Sequence, residues 1–176
     1  LAKIVEGKGA RRGGTRGYKA TIEPLEEAIE EKRAIFLVGD FNEPSHLDWT
    51  EHYARNGSDR WVDNPTDIPL RFPVQWPGSV LLENIGMVDS FRQFHADEVK
   101  KPGNTWTPPY PKQTPGRRPY RDQVLDRIDR VYHHRNNVKV ASAQVVGEKG
   151  DTSDIVIEGR WPSDHRAVVI EYKWKN

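Results

Sequence analysis

The 176-residue sequence contains no cysteine. That absence excludes disulfide scaffolds, thiolate zinc sites and a cysteine nucleophile. Long apolar runs are missing too: Ala34–Val38 and Ala167–Ile170 are the longest, far below the roughly 18 residues that a membrane-spanning helix needs. Neither sign of charge dominates, because 27 lysines and arginines face 26 acidic residues. Any preference for phosphate or nucleic acid must therefore come from local charge.

The N-terminal part of the chain predicts a basic arm followed by a helix and a strand. A domain has about 150 residues on average, so the length of 176 residues suggests one domain. Residues 1–19 hold six basic residues, five glycines and one acid, which predicts a mobile arm or long loop. Thr21 is typical of an N-cap, and apolar spacing predicts a helix from there to about Lys32. Ala34–Val38 then predicts a buried strand, so helix and sheet layers should pack together.

The C-terminal part predicts three strands and a basic, proline-rich loop. The strands are expected at Val124–His133, Val138–Val146 and Ala167–Trp174. Residues 99–121 contain six prolines, six basic residues and no acid, so they cannot form a regular helix. Basic residues interleaved with aromatics can contact phosphates and stack on bases. We expect this loop to lie beside the site and to hold an anionic substrate; the alternative is a solvated loop.

The first candidate site is Gly39-Asp40-Phe41-Asn42, directly after the buried strand. Residues i and i+2 of an extended segment share a face, so Asp40 and Asn42 point the same way. An aspartate can accept a proton or bind a hard cation, and an asparagine can donate to an oxyanion. The alternative is a turn, where both residue types are common. His46, a few residues later, is interpreted as a surface histidine rather than a substrate contact.

Two further candidates lie near the C-terminus. Asp164 and His165 precede the final predicted strand; aspartate suits Mg²⁺, and histidine is a base or a donor to phosphate near neutral pH. Asp129 lies on a strand face that is otherwise apolar and therefore needs a partner. A histidine from elsewhere would suit it, because a carboxylate orients an imidazole. A pairing of Asp129 with Arg127 or Arg121 is the local alternative.

Together, these motifs resemble the endonuclease/exonuclease/phosphatase superfamily. The resemblance rests on Gly-Asp-Phe-Asn at 39–42, Arg-Ile-Asp at 127–129 and Ser-Asp-His at 163–165, and it covers roughly residues 20–174. It implies an α+β sandwich of the deoxyribonuclease I-like type, with four α/β/β/α layers and the site at one edge of two packed sheets. It also implies hydrolysis of phosphoester bonds with Mg²⁺ or Mn²⁺.

The resemblance assigns a role to each candidate residue. Asp40 would orient or deprotonate the attacking water, and Asn42 would hold the phosphate. Asp164 would serve the metal. His165 would contact the scissile phosphate or act as the base, with Asp129 as its orienting partner. The substrate would be a phosphoester, with nucleic acid as one candidate, and no membrane span is expected.

One departure from the family pattern concerns the segment before Gly39. Family domains usually place a longer segment there, which brings an asparagine and a glutamate that is a principal metal ligand. We therefore expect residues 20–176 to represent the C-terminal portion of such a domain, with a missing N-terminal part. The favoured function is a phosphodiesterase or nuclease. The alternatives are a phosphomonoesterase or lipid phosphodiesterase of the same fold, and a non-catalytic binding module or inactive fragment.

Overall fold

The computed structural model describes residues 15–107, 123–134, 138–150 and 153–175. Within these ranges the helices and strands, in chain order, are α1 (Thr15–Glu30), β1 (Phe36–Asp40), α2 (Glu51–Asn56), α3 (Pro77–Asn84), β2 (Met87–Asp89), α4 (Ser90–Phe94), β3 (Asp129–His134), β4 (Val138–Gly147), β5 (Ile155–Val156) and β6 (Ala167–Trp174). The mixture of helices and strands agrees with the predicted α+β class. In the described part of the chain, no helix combines the length and apolarity needed to cross a membrane.

The strands form two three-stranded sheets. In the first, the order is β1-β3-β2, with both pairs antiparallel. In the second, the order is β5-β4-β6; β4 and β6 are antiparallel, and their register shifts between Val140 and Ser142. The strands predicted at Val138–Val146 and Ala167–Trp174 are confirmed. The sheets thus bring Asp40, at the end of β1, next to the start of β3.

Each sheet packs against helices through its own apolar cluster. The first cluster joins α1, α3 and the β1-β3-β2 sheet, and its buried members are Tyr18, Leu25, Ala28, Ile35, Leu82, Met87 and Tyr132. The second joins α4 to β4, through buried Phe91, Val140, Ala143 and Val145. The layered packing predicted from the helix and strand pattern is therefore present.

Helix α1 begins earlier than the sequence pattern predicts. It starts at Thr15, so residues 15–19 are helical rather than part of the predicted arm; residues 1–14 lie outside the described residues. Thr21 is inside the helix, where its hydroxyl donates to the Tyr18 carbonyl at 2.7 Å, and it is not the N-cap. Tyr18 explains the earlier start, because its ring is buried against Gly78 and anchors this turn to α3.

The prediction that the first strand is buried is wrong. Phe36 is 44% exposed and Val38 is 65% exposed. The physical reason is that the helices of the first apolar cluster cover only one face of β1, and Phe36 and Val38 lie on the other face. Leu37, on the opposite face, packs against the first apolar cluster.

Gly103 has a positive φ and packs closely against Phe91, so its replacement by alanine is expected to destabilise the fold. Its φ is +68°, and an added Cβ would lie 2.4 Å from the fully buried Phe91 ring. We expect Gly103→Ala to lower the free energy of unfolding by roughly 2–5 kcal/mol, the sum of overpacking and left-handed backbone strain. Urea unfolding measures this loss.

Gly159 provides the matched control for this prediction. Its φ is +94°, but an added Cβ would meet nothing within 4 Å. Gly159→Ala should therefore show only the backbone cost, about 1–2 kcal/mol. Equal losses in the two variants would mean that the Phe91 ring does not restrict position 103.

Candidate active site

Asp40 and Asn42 form a compact polar turn at the end of β1. Asn42 has a φ of +49°, a left-handed conformation that asparagine tolerates better than most residues. Its backbone N–H and its side-chain Nδ2 each donate to a different oxygen of Asp40, both at 2.8 Å. The predicted common direction of the two side chains is therefore present. Because a primary amide has a second N–H, Asn42 can also donate to a substrate oxygen.

Asp129 lies directly opposite Asp40 in the antiparallel pair of β1 and β3. Its backbone N–H and that of Ile128 donate to the Thr105 hydroxyl, at 3.0 and 3.1 Å. Thr105 is fully buried, so it holds the start of β3 rigidly. Like charges at directly opposed positions repel each other. A cation or a protonated histidine between Asp40 and Asp129 would relieve that repulsion.

His165 binds Asp129 from the segment before β6. Its Nδ1 lies 2.8 Å from Asp129 Oδ2, a hydrogen-bond distance. The His165 and Asp129 side chains are 23% and 22% exposed, so solvent or a substrate can reach them. With Nδ1–H donating to the carboxylate, Nε2 carries the lone pair and is available as a base or, when protonated, as a donor.

Two tryptophans and a serine fix the position of His165. The Trp161 indole N–H donates to the His165 carbonyl at 2.7 Å. The His165 backbone N–H donates to the Ser163 hydroxyl at 3.0 Å. The Trp106 ring packs edge-on at a centroid distance of 4.8 Å from the imidazole. Sequence reasoning missed the role of Trp161; its signal was an indole four residues before the histidine of the Ser-Asp-His motif.

Asp40, Asp129 and His165 form a cluster that can hold a metal ion. One ligand atom from each side chain lies within 4.8 Å of the others. Carboxylate oxygens suit Mg²⁺ and Mn²⁺, and imidazole nitrogen suits transition metals. Asp164, predicted from sequence to serve the metal, does not belong to this cluster. Its side chain is exposed next to His165, so its role stays a prediction.

The alternative partner considered for Asp129 is engaged elsewhere. Arg127 is 1% exposed and binds Asp48 and Asp89, with Nη2–Oδ2 distances of 2.9 and 2.7 Å. The predicted alternative of an Asp129–Arg127 pair is therefore wrong, and Arg121 lies outside the described residues. Arg127 therefore leaves the Asp129 carboxylate to His165.

The surface interpretation of His46 is also wrong. The residue is only 9% exposed. Its Nδ1 lies 2.8 Å from the Ser79 hydroxyl, and its Nε2 lies 3.0 Å from Glu83 Oε2. Both partners belong to α3, so His46 attaches the loop after Asn42 to that helix.

A partly buried carboxylate, Asp126, is linked by hydrogen bonds to the segment that contacts His165. Burial raises the pKa of Asp126 to about 6, although Arg60 and a hydrogen bond from the Trp49 indole lower it. The Asp126 carbonyl accepts from the backbone N–H groups of Thr105 and Trp106, at 2.9 and 2.8 Å. Asp126 therefore connects Trp49 and Arg60 to the segment that contacts His165.

Only the edges of the predicted basic loop are described. Lys100 Nζ lies 3.1 Å from Asp97 Oδ2, and Lys101 pairs with Asp154. These two lysines are thus engaged with acids of the chain itself. Residues 108–122, with the remaining basic residues of the loop, lie outside the described residues, so the substrate-binding role of the loop stays a prediction.

Two comparisons with known proteins bear on this site. The sequence profile of the Endonuclease/Exonuclease/phosphatase family matches residues 13–165, which include Asp40, Asn42, Asp129, Asp164 and His165. An uncharacterized protein of Caenorhabditis elegans is 31% identical over 176 residues; the match covers 98% of this chain and 52% of that protein. The chain therefore spans about half the length of this curated relative.

Proposed function

Because this chain belongs to the endonuclease/exonuclease/phosphatase family, we propose that it carries a catalytic site that hydrolyses phosphodiesters, with nucleic acid as the candidate substrate. Family domains have the deoxyribonuclease I-like fold and are in general phosphoester hydrolases that use divalent metals. The observation that supports the proposal most directly is the Asp129–His165 hydrogen bond of 2.8 Å beside Asp40. This hydrogen bond forms an aspartate–histidine pair next to a second carboxylate, Asp40, at a position that solvent can reach.

In this proposal, His165 handles protons or contacts the phosphate. Asp129 holds the imidazole through Nδ1, so Nε2 carries the lone pair of the neutral ring. The contacts from Trp161 and Ser163 restrict the backbone at this position, which keeps the imidazole in one orientation. A positioned general base or acid contributes about 10²–10⁴-fold to a reaction rate.

Asp40 and Asn42 act on the water and the phosphate. The Asp40 carboxylate is exposed and accepts hydrogen bonds from Asn42, so it can orient a water molecule for attack. The Asn42 amide can donate its second N–H to a phosphate oxygen. Both side chains are preorganised by their mutual hydrogen bonds, which lowers the reorganisation needed when the substrate binds.

The site fits a divalent ion. Asp40 and Asp129 are directly opposed across the β1–β3 pair, and His165 completes a set of three ligand atoms within 4.8 Å. Asp164 adds an exposed carboxylate next to His165. When bound, Mg²⁺ or Mn²⁺ would neutralise charge on the phosphate and lower the pKa of a water ligand.

Hydrolysis of small chromogenic esters tests the proposal. We expect the protein to hydrolyse bis(p-nitrophenyl) phosphate, a diester, in the presence of Mg²⁺ or Mn²⁺ and to lose that activity in EDTA. p-Nitrophenyl phosphate, a monoester, should react more slowly. Faster monoester hydrolysis would favour the phosphomonoesterase alternative. No hydrolysis of either ester by folded protein with metal present would favour the alternative of a non-catalytic binding module or inactive fragment.

The nucleic-acid part of the proposal has its own test. Binding to duplex DNA releases counterions, so the logarithm of affinity should fall by about 0.9 per unit of log salt for each phosphate contacted. Replacing Arg117 and Arg118 with alanine should flatten this slope by up to about two contacts. An unchanged slope would mean that this loop does not follow the DNA backbone.

A further inference from the structure

A second group of metal-ligand side chains lies away from Asp40, Asp129 and His165. His52 comes from α2, and Asp97 and Glu98 come from the turn after α4. One potential ligand atom of each lies within 4.8 Å of the others. His52 Nε2 and Asp97 Oδ1 are 3.8 Å apart, a separation that an ion with bonds of about 2.0–2.1 Å can bridge.

Glu98 gives an independent reason to expect a cation here. The residue is only 6% exposed, yet among the described residues it forms no ion pair, and its one side-chain hydrogen bond comes from the Thr50 hydroxyl. Burial of a carboxylate is costly unless a cation or several donors compensate it. One hydroxyl supplies only part of that compensation, so the second Glu98 oxygen is available to a metal ion.

The other two ligands are held in position by the backbone around them. Asp97 Oδ1 accepts from the backbone N–H groups of Val99 and Lys100, at 3.1 and 3.0 Å. Asn56 Nδ2 donates to the His52 carbonyl at 3.1 Å and lies 3.1 Å from His52 Nδ1, which leaves Nε2 on the side of Asp97. A bound metal would take the Nε2 lone pair, with the imidazole proton on Nδ1.

We propose that His52, Asp97 and Glu98 form a second divalent-cation site, suited to zinc. One imidazole and two carboxylates are a ligand set that zinc accepts, and a water molecule would complete a tetrahedron. The Lys100 ammonium, 3.1 Å from Asp97 Oδ2, is on a side chain that is 85% exposed and can move aside. The ion would link α2 to the turn after α4 and thereby stabilise this side of the molecule.

Calorimetric titration with Zn²⁺ tests the site. The background is an Asp129→Asn, His165→Ala double variant, which weakens binding at the candidate active site. We expect this protein to bind one Zn²⁺, and the further change His52→Ala to weaken that binding at least tenfold. Glu51→Gln is the matched control, because Glu51 is an exposed neighbour that pairs with Arg55 and lies outside the cluster; it should leave the affinity unchanged.

Two results would overturn this proposal. The first is a Zn²⁺ affinity that His52→Ala and Glu98→Gln both leave unchanged in folded protein. The second result concerns the melting temperature. We expect Zn²⁺ to raise the melting temperature of the background variant and of the Glu51→Gln control, but not that of the His52→Ala variant. An equal rise in all three proteins would show that zinc binds elsewhere.

Discussion

Replacing His165 with alanine is expected to lower kcat for phosphodiester hydrolysis by about 10²–10⁴-fold, the range for loss of a positioned general acid or base. The structural reason is that the His165 imidazole binds the Asp129 carboxylate through Nδ1, which leaves Nε2 for proton transfer or contact with phosphate. Steady-state kinetics with bis(p-nitrophenyl) phosphate and saturating Mg²⁺ measures the change. KM should change less than kcat if His165 acts mainly in the transition state.

The fold should survive this substitution, because the His165 side chain is partly exposed and its backbone contacts to Ser163 and Trp161 remain. Circular dichroism and thermal unfolding check that point. His95→Ala is the control: His95 Nε2 lies 2.9 Å from the Ala143 carbonyl, outside the site, so activity per folded molecule should be kept. A His165→Ala protein with near-normal kcat would remove His165 from the mechanism.

The sequence was sufficient to predict the Asp129–His165 contact, although 36 residues separate them in the chain. Two features made this possible. Asp129 is a carboxylate in an otherwise apolar strand pattern, and His165 precedes the final strand in a motif that accompanies it in the family. The contacts from Trp161 and Trp106 were missed: the position of Trp161 four residues before His165 was the one signal, and it does not distinguish a positioning contact from core packing.

The two C-terminal strands followed from apolar patterns, but the start of β3 and the burial of β1 did not. The pattern predicted a strand from Val124, whereas β3 begins at Asp129, and it cannot tell whether one or both faces of the first strand are covered. Coverage depends on contacts between distant parts of the chain; the pairing of β1 with β3 alone joins residues 89 to 97 positions apart. The start of α1 was missed for a similar reason, because the burial of Tyr18 depends on Gly78 in a distant helix.

The buried ion pairs of Arg127 with Asp48 and Asp89 could not be predicted from the sequence either. Arg127 invites pairing with the nearby Asp129, but its guanidinium instead contacts Asp48, 79 residues away, and Asp89, 38 residues away. Local spacing carries no information on pairs of this kind. This pairing matters for the candidate site. Because Arg127 binds Asp48 and Asp89, the Asp129 carboxylate is left to bind His165.

Removing this guanidinium is therefore expected to destabilise the fold strongly. Arg127, Asp48 and Asp89 are 1%, 3% and 4% exposed. In Arg127→Met, Asp48 would keep Arg92, whose Nε lies 2.5 Å away, whereas Asp89 would keep, among the described residues, the backbone N–H of Arg92 at 3.2 Å. Leaving a buried charge without its partner costs roughly 3–5 kcal/mol. Urea unfolding monitored by tryptophan fluorescence measures the loss.

Acid should weaken the same network in the wild-type protein. Burial alone would raise the pKa of Asp48, but Arg127 and Arg92 outweigh it and hold that pKa below its usual value. The stability that this carboxylate contributes is therefore present above its unfolded-state pKa and is lost as the pH falls through the lower folded-state value. In Arg127→Met this part of the acid dependence should shrink.

A second substitution separates the lost charge partner from lost packing. If the uncompensated Asp89 charge causes the damage, adding Asp89→Asn to Arg127→Met should recover more than about 1 kcal/mol, because residues in one ion network are strongly coupled. Asp89→Asn alone should destabilise, since it leaves the guanidinium with only Asp48. Full additivity of the two changes would instead assign the effect to the packing of the arginine side chain. If only the packing of the arginine side chain is lost, the hydrolytic activity of Arg127→Met should fall only in proportion to the fraction of unfolded protein.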